Sequence, residues 1–184
     1  MHILGFSGSL REGSHNTAVL RAAGRLFSDV AQLDIYSDLE SLPPYNQDRD
    51  TDEPPAAVAE LRRLIAEADA VLFVTPEYNG ALPGQIKQVV DWGSRPYGPN
   101  APLYGKPAAV ISASVTDYGA MWANEQLRKA LGLAGARVAD VELAIPRIAE
   151  RLNPAGELTD PETEGLVREA VNKLVNYSEA LIAS

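Results

Sequence analysis

The chain has 184 residues, 46% hydrophobic and 22% charged, which suits a globular fold with a sizeable core and argues against wholesale disorder. A net charge of −9 leaves no broad basic surface for gripping nucleic acid, although one locally positive pocket for a small anion is still allowed. With no cysteine and only two histidines, disulfide frameworks, thiolate catalysis and zinc or iron–sulfur centres built on Cys are excluded, and a His-rich metal site has little to work with.

Ile3 to Phe6 is a short apolar run ending in Ser7-Gly8-Ser9, the pattern of a buried strand. Val19, Ala22, Ala23, Leu26 and Phe27 then recur at helical spacing from about Asn16, with Ser14 as the best capping residue. Leu33 and Ile35 mark a second strand. Residues 36–55 form a long Pro-, Asp- and Asn-rich connection, expected to be functional or mobile; its acidic residues Asp48, Asp50, Asp52 and Glu53 read as a solvated loop. A helix follows Pro54-Pro55 and places Val58, Leu61, Leu64, Ile65 and Ala68 on one face.

Val71-Leu72-Phe73-Val74 is the clearest strand, a continuous apolar run of the kind buried on both faces of a parallel sheet. Helix Gln85 to Trp92, strand Ala108 to Ile111, helix Ala123 to Leu131, strand Val138 to Leu143 and a helix over 161–182 follow. This alternation predicts an α/β doubly wound parallel sheet of five strands with helices on both faces. No repeat or composition break marks a boundary, so one domain over residues 1–184 is expected. No stretch approaches the ~20 apolar residues of a membrane span. MHILGFSGSL lacks the basic and long apolar regions of a signal peptide, so a cytoplasmic location is expected.

Ligands of such sheets sit outside the carboxyl ends of the strands, where strand order reverses. The turn after the first strand, Gly8 to Thr17, offers hydroxyls from Ser9, Ser14 and Thr17, the Asn16 amide and the Arg11 fork, all at a helix N-terminus. Those groups suit a terminal phosphate. The turn after the third strand, Thr75-Pro76-Glu77-Tyr78-Asn79-Gly80-Ala81-Leu82-Pro83-Gly84, is polar and punctuated by Gly and Pro, as in a shaped binding loop. The turn after the fourth strand, Ser112 to Ala120, is again rich in hydroxyls. Several alternatives lack their signature: no G-x-x-x-x-G-K-[ST] is present, Gly5, Gly8 and Gly13 miss the dinucleotide spacing, and Ser9 stands where G-x-S-x-G needs its last glycine.

With these segments in hand, the chain resembles the NADPH-dependent FMN reductase family, which includes quinone, azo-dye and chromate reductases. The resemblance runs over approximately residues 1–145. It is carried by G-S-x-R-x-x-S-x-N, here Gly8 to Asn16, and by T-P-E-Y-N, here Thr75 to Asn79. Val90-Asp91-Trp92 and Gly105-Lys106-Pro107 add to it. The resemblance implies a flavodoxin-like fold of strand order 2-1-3-4-5. It also implies an FMN phosphate held by Ser9, Arg11, Ser14, Asn16 and Thr17, and a flavin ring contacted by Pro76, Glu77, Tyr78, Asn79 and Gly80. The fourth turn adds Ser112, Ser114 and Gly119 to the expected site.

No catalytic side chain is expected, since the flavin would perform the chemistry. NADPH or NADH would donate electrons and a small quinone-like molecule would accept them. Relatives imply a homodimer or homotetramer. The chain departs from the family in the fourth turn, where Val115-Thr116-Asp117 replaces a glycine-richer stretch and brings in a carboxylate. Two other readings stay open at this point: an electron carrier that does not itself oxidise NAD(P)H, and a cofactor-free interaction module on the same fold.

Overall fold

Successive side chains of a strand enter opposite faces of its sheet, so a strand covered on both sides must be apolar throughout. The computed structural model describes residues 1–27 and 30–183. Strand β1 (His2–Ser7) leads to helix α1 (His15–Leu26), then β2 (Gln32–Ile35), α2 (Ala56–Glu67), β3 (Ala70–Thr75) and α3 (Gly84–Gly93). Next come β4 (Pro107–Ala113), α4 (Met121–Leu133), two short strands β5 (Arg137–Val138) and β6 (Leu143–Ile145), and α5 (Pro161–Ile182). The pairings are parallel and the path across the sheet is β2-β1-β3-β4-β5, with β6 also pairing β4. This is the flavodoxin-like order, which reverses between β1 and β3.

The two faces separate cleanly. Ala70, Leu72 and Val74 of β3 pack with Val19, Leu20 and Ala23 of α1 and Val167, Val171 and Leu174 of α5. Val71 and Phe73 face the other way, onto Leu61 and Ile65 of α2, Ile86, Val89 and Trp92 of α3 and Leu127 of α4. Complete burial of a side chain such as Phe73 contributes ~2–3 kcal/mol. No helix among the described residues is long and apolar enough to cross a membrane.

Two expectations need correction. The edge strand expected as one piece over Val138 to Leu143 is divided. Ala139 N still donates to Ala108 O of β4 at 2.8 Å, but Val141 N then donates to Ala139 O at 2.8 Å, a tight local turn that interrupts the strand between Val138 and Leu143. Residues 36–55 are also tied down rather than loose. Gln85 Nε2 donates to Leu39 O at 2.9 Å, Trp92 Nε1 donates to Pro43 O at 2.9 Å, and Tyr45 N donates to Gln88 Oε1 at 2.6 Å. Asp48, Asp52 and Glu53 are exposed, as expected of a solvated loop. Asp50 instead pairs with Arg62 at 2.6 Å, each side chain only 14% exposed.

Candidate functional site

The turns after β1, β3 and β4 converge on one cleft with a cavity of about 190 Å³. Gly8 lets the first two meet. A Cβ there would stand 2.8 Å from Pro76 Cδ and 2.9 Å from Thr75 Oγ1, so a larger residue would drive the turns apart.

The first turn supplies Ser9, Arg11, Ser14, His15 and Asn16 to the cavity wall. Ser14 caps α1: its backbone is extended and its Oγ accepts from Thr17 N at 3.2 Å. The helix start leaves the His15 and Asn16 N–H groups without a carbonyl four residues back, and no acidic side chain lies in the first turn of α1. Together with exposed Arg11, these donors suit an anion. Thr17, expected beside the phosphate, does not line the cavity; its hydroxyl is hydrogen-bonded to Ser7 Oγ at 2.7 Å. Burial, and then the charge of Arg11, hold the His15 imidazole below its usual range.

Asn16 is the most informative of these residues. It is 4% exposed, and its Nδ2 donates to Ala113 O at 3.2 Å. Its Oδ1 is buried with no hydrogen-bond partner, a state otherwise found only at Tyr36 OH among the buried side chains described. A buried acceptor left alone costs about 1–3 kcal/mol unless a ligand supplies a donor. A phosphate dianion has none. The ribityl hydroxyls of FMN do, so the residues present fit that cofactor: Arg11 and the N–H groups suit the phosphate, and Asn16 suits the chain next to it.

From the third turn, Pro76, Glu77 and Tyr78 line the cavity. Tyr78 N donates to Ala81 O at 3.0 Å and Ala81 N to Tyr78 O at 3.1 Å, closing a two-residue hairpin. Its tip residues Asn79 (φ 54°) and Gly80 (φ 74°) are both left-handed, the Asn-Gly geometry of a type I′ turn. Both stand exposed at the rim rather than on the cavity wall.

In the fourth turn only Ser114 of the three expected residues reaches the cavity, with Ala113 and Val115 beside it. Ser112 is fully buried; its Oγ donates to Gly119 O at 2.8 Å and accepts from Asn124 Nδ2 at 3.2 Å. Ser112 and Gly119 therefore hold the turn from beneath. Asp117 is paired with Arg147 at 2.5 Å, both exposed and off the cavity wall. Sequence reasoning missed His15, Ala113, Val115 and Ile148. Ile148 is brought in from beyond β6 by its N–H bond to Ser114 O at 3.0 Å, a contact with no local signature.

A larger cavity of about 620 Å³ lies on the other side of Ser14 and His15. Its walls set Glu12 and Glu157 against Arg21 and Arg25, so its charges oppose one another. The smaller cleft also sets one carboxylate, Glu77, near Arg11, but that carboxylate is engaged by Ala123 N at 3.1 Å.

A flavodoxin-like sheet with helix-start N–H donors, Arg11 and an unpartnered buried acceptor at its switch point suits an α/β protein that holds a phosphorylated cofactor. The family model described as NADPH-dependent FMN reductase matches residues 1–150, and the chain belongs to that family. It is 36% identical over 173 residues to an NAD(P)H-dependent FMN reductase of Pseudomonas aeruginosa, covering 94% of this chain and 92% of the relative. A quinone reductase of Pseudomonas putida is 37% identical over 171 residues, covering 92% of this chain and 90% of the relative. Among solved structures, the flavoenzyme FerB, an NAD(P)H:(acceptor) oxidoreductase of Paracoccus denitrificans, superposes with a TM-score of 0.88 at 34% identity, covering 97% of each chain.

Proposed function

We propose that this chain is an NAD(P)H-dependent, FMN-containing oxidoreductase that passes electrons to quinone-like or other small acceptors. The observation that carries this reading is the buried, unpartnered Asn16 Oδ1 beside an acid-free helix N-terminus and Arg11. When bound, FMN supplies the redox chemistry, accepting hydride from NADPH or NADH and delivering electrons to the acceptor. Arg11, Ser14 and the opening N–H groups of α1 hold the phosphate. Ser9 offers its hydroxyl on the same wall, and Asn16 would accept from the ribityl chain.

The cavity of about 190 Å³ is smaller than the ~300 Å³ typical of sites that enclose a whole ligand. It would take the phosphate and ribityl half of FMN, leaving the ring outside it. Tyr78 and Val115 of its wall are exposed, and so are Tyr118, Met121 and Trp122, which follow Val115 in the chain, the Tyr118 and Trp122 rings meeting at 5.2 Å. Exposed apolar side chains gathered at a ligand site suit a flat acceptor or a second subunit. We take the chain to be a cytoplasmic homodimer or homotetramer whose association covers these side chains.

The test is an absorbance spectrum of the chain loaded with FMN and freed of excess, before and after anaerobic NADPH or NADH. A bound yellow chromophore that bleaches is the expected result. A bound chromophore that does not bleach makes the chain an electron carrier, and a colourless protein refutes the proposal. Sedimentation of the loaded protein checks the assembly.

A further inference from the structure

A two-residue hairpin with no neighbouring strand is marginally stable on its own. The hairpin of Tyr78 to Ala81 is such a case, and its ladder uses the N–H groups of Tyr78 and Ala81, leaving those of Asn79 and Gly80 outside it. Helix α4 supplies what the hairpin lacks. Gln126 Nε2 donates to Gly80 O at 3.0 Å, and Gln126 Oε1 accepts from Leu82 N at 3.3 Å. One side-chain amide thus grips the backbone on both sides of Ala81, as a residue of a neighbouring strand would.

A second tether lies one turn earlier. The residue before α4 is Ala120, left-handed and without a side chain that can cap the helix. Glu77 Oε2 takes that place, accepting from Ala123 N at 3.1 Å. The positive end of the helix dipole favours the carboxylate there. So the loop completes the helix, and the helix fixes where the loop begins. Gln126 itself does not line the cleft.

We propose that Gln126 and Glu77 are positioning residues for the flavin ring, acting through the hairpin to hold the Asn79 and Gly80 N–H donors at the ring's polar edge. This rests on the FMN reading above. A donor held in place at that edge favours the reduced, more electron-rich ring, so the tethers set midpoint potential as well as affinity. A loosened hairpin must first be ordered by the ligand, which weakens binding.

The experiment compares wild type with Gln126→Leu by three readouts: amide exchange at residues 78–82 in the flavin-free chain, FMN affinity by fluorescence quenching, and the midpoint potential of bound FMN. Gln126→Leu should exchange faster at 78–82, bind FMN about five- to a hundredfold more weakly, as the loss of two neutral hydrogen bonds implies, and show a lower potential. Glu77→Gln keeps an acceptor but drops its charge; because its carboxylate also lines the cleft, its readout is exchange at 78–82, which should quicken by less than in Gln126→Leu, and it serves if Gln126→Leu does not fold. Arg11→Ala should weaken FMN binding without changing exchange at 78–82. A wild-type chain that takes up no FMN overturns the FMN reading and this proposal together. A wild-type chain that binds FMN, beside a folded Gln126→Leu with unchanged exchange and potential, overturns this proposal alone.

Discussion

The first and third turns face one another across the same cleft, yet they are held by different kinds of contact. The first is organised by its own sequence: Ser14 caps the helix that follows it, Ser14 N donates to Arg11 O at 3.1 Å, and Arg11 N donates to Ser9 Oγ at 3.4 Å. The third is held from a distance by helix α4, more than forty residues further along the chain: Glu77 accepts from Ala123 N, and Gln126 bonds to Gly80 O and Leu82 N. A charged phosphate needs donors in a fixed, short-range pattern, which local structure provides. A flat ring needs a shaped wall, which packing between separate elements provides. The lesson is that a locally built half should be damaged by changing its own residues, and a remotely built half by changing residues that never touch the ligand.

The largest effect should come from the local half. Arg11→Ala removes a charge-assisted contact to the phosphate and should weaken FMN binding roughly ten- to a hundredfold, measured by fluorescence titration, with the melting temperature little changed. Should FMN bind Arg11→Ala as tightly as wild type, Arg11 does not hold the phosphate. Gly8→Ala attacks the junction of the two halves. Its Cβ collides with Pro76 and Thr75 and should destabilise the chain by about 1–3 kcal/mol in urea titration, with FMN affinity falling as well.

Asn16→Leu separates ligand binding from folding. It loses the bond to Ala113 O, worth about 1 kcal/mol, but it also removes an acceptor that is buried without a partner. The flavin-free chain should therefore keep nearly wild-type stability while FMN binding weakens about tenfold. A flavin-free Asn16→Leu chain that is strongly destabilised would assign Asn16 to the core rather than the ligand.

The smallest effect concerns His15. Its imidazole is held below the usual range by burial and by Arg11, so folding disfavours its protonated form. The unfolded chain then binds the extra proton more readily, and stability falls as pH drops from above the ordinary histidine range through the lowered folded value. His15→Gln should remove that part of the acid loss in denaturant titrations run across this window. A phosphate dianion placed beside His15 counters Arg11, so NMR titration should find the His15 pKa higher in the FMN-loaded chain than in the free one.

The departure in the fourth turn bears on the same contrast. Read from sequence, Asp117 is a carboxylate close to the flavin. In the structure it is engaged by Arg147, whose N–H also donates to Thr116 O at 3.1 Å. Nothing near residue 117 in sequence announces a partner thirty residues away. Ser112 is a similar case: its hydroxyl suggested a ligand contact, but full burial turns it to Gly119 and Asn124 instead. Residue type reveals that a group can donate or accept, and only the fold decides whether ligand or protein is opposite.

By itself the sequence determined the parallel sheet and its helices, because period-two and helical apolar patterns are properties of short segments. It also gathered the donors expected to face a phosphate, because a Ser-capped helix start with an adjacent arginine is complete within ten residues. The tertiary structure alone decided the division of the edge strand, the entry of Ile148 into the cleft and the tethering of the hairpin to α4. Each of these depends on backbone groups that lie far apart in the chain, and which of them come within hydrogen-bonding distance is settled only when the sheet and its covering helices pack together.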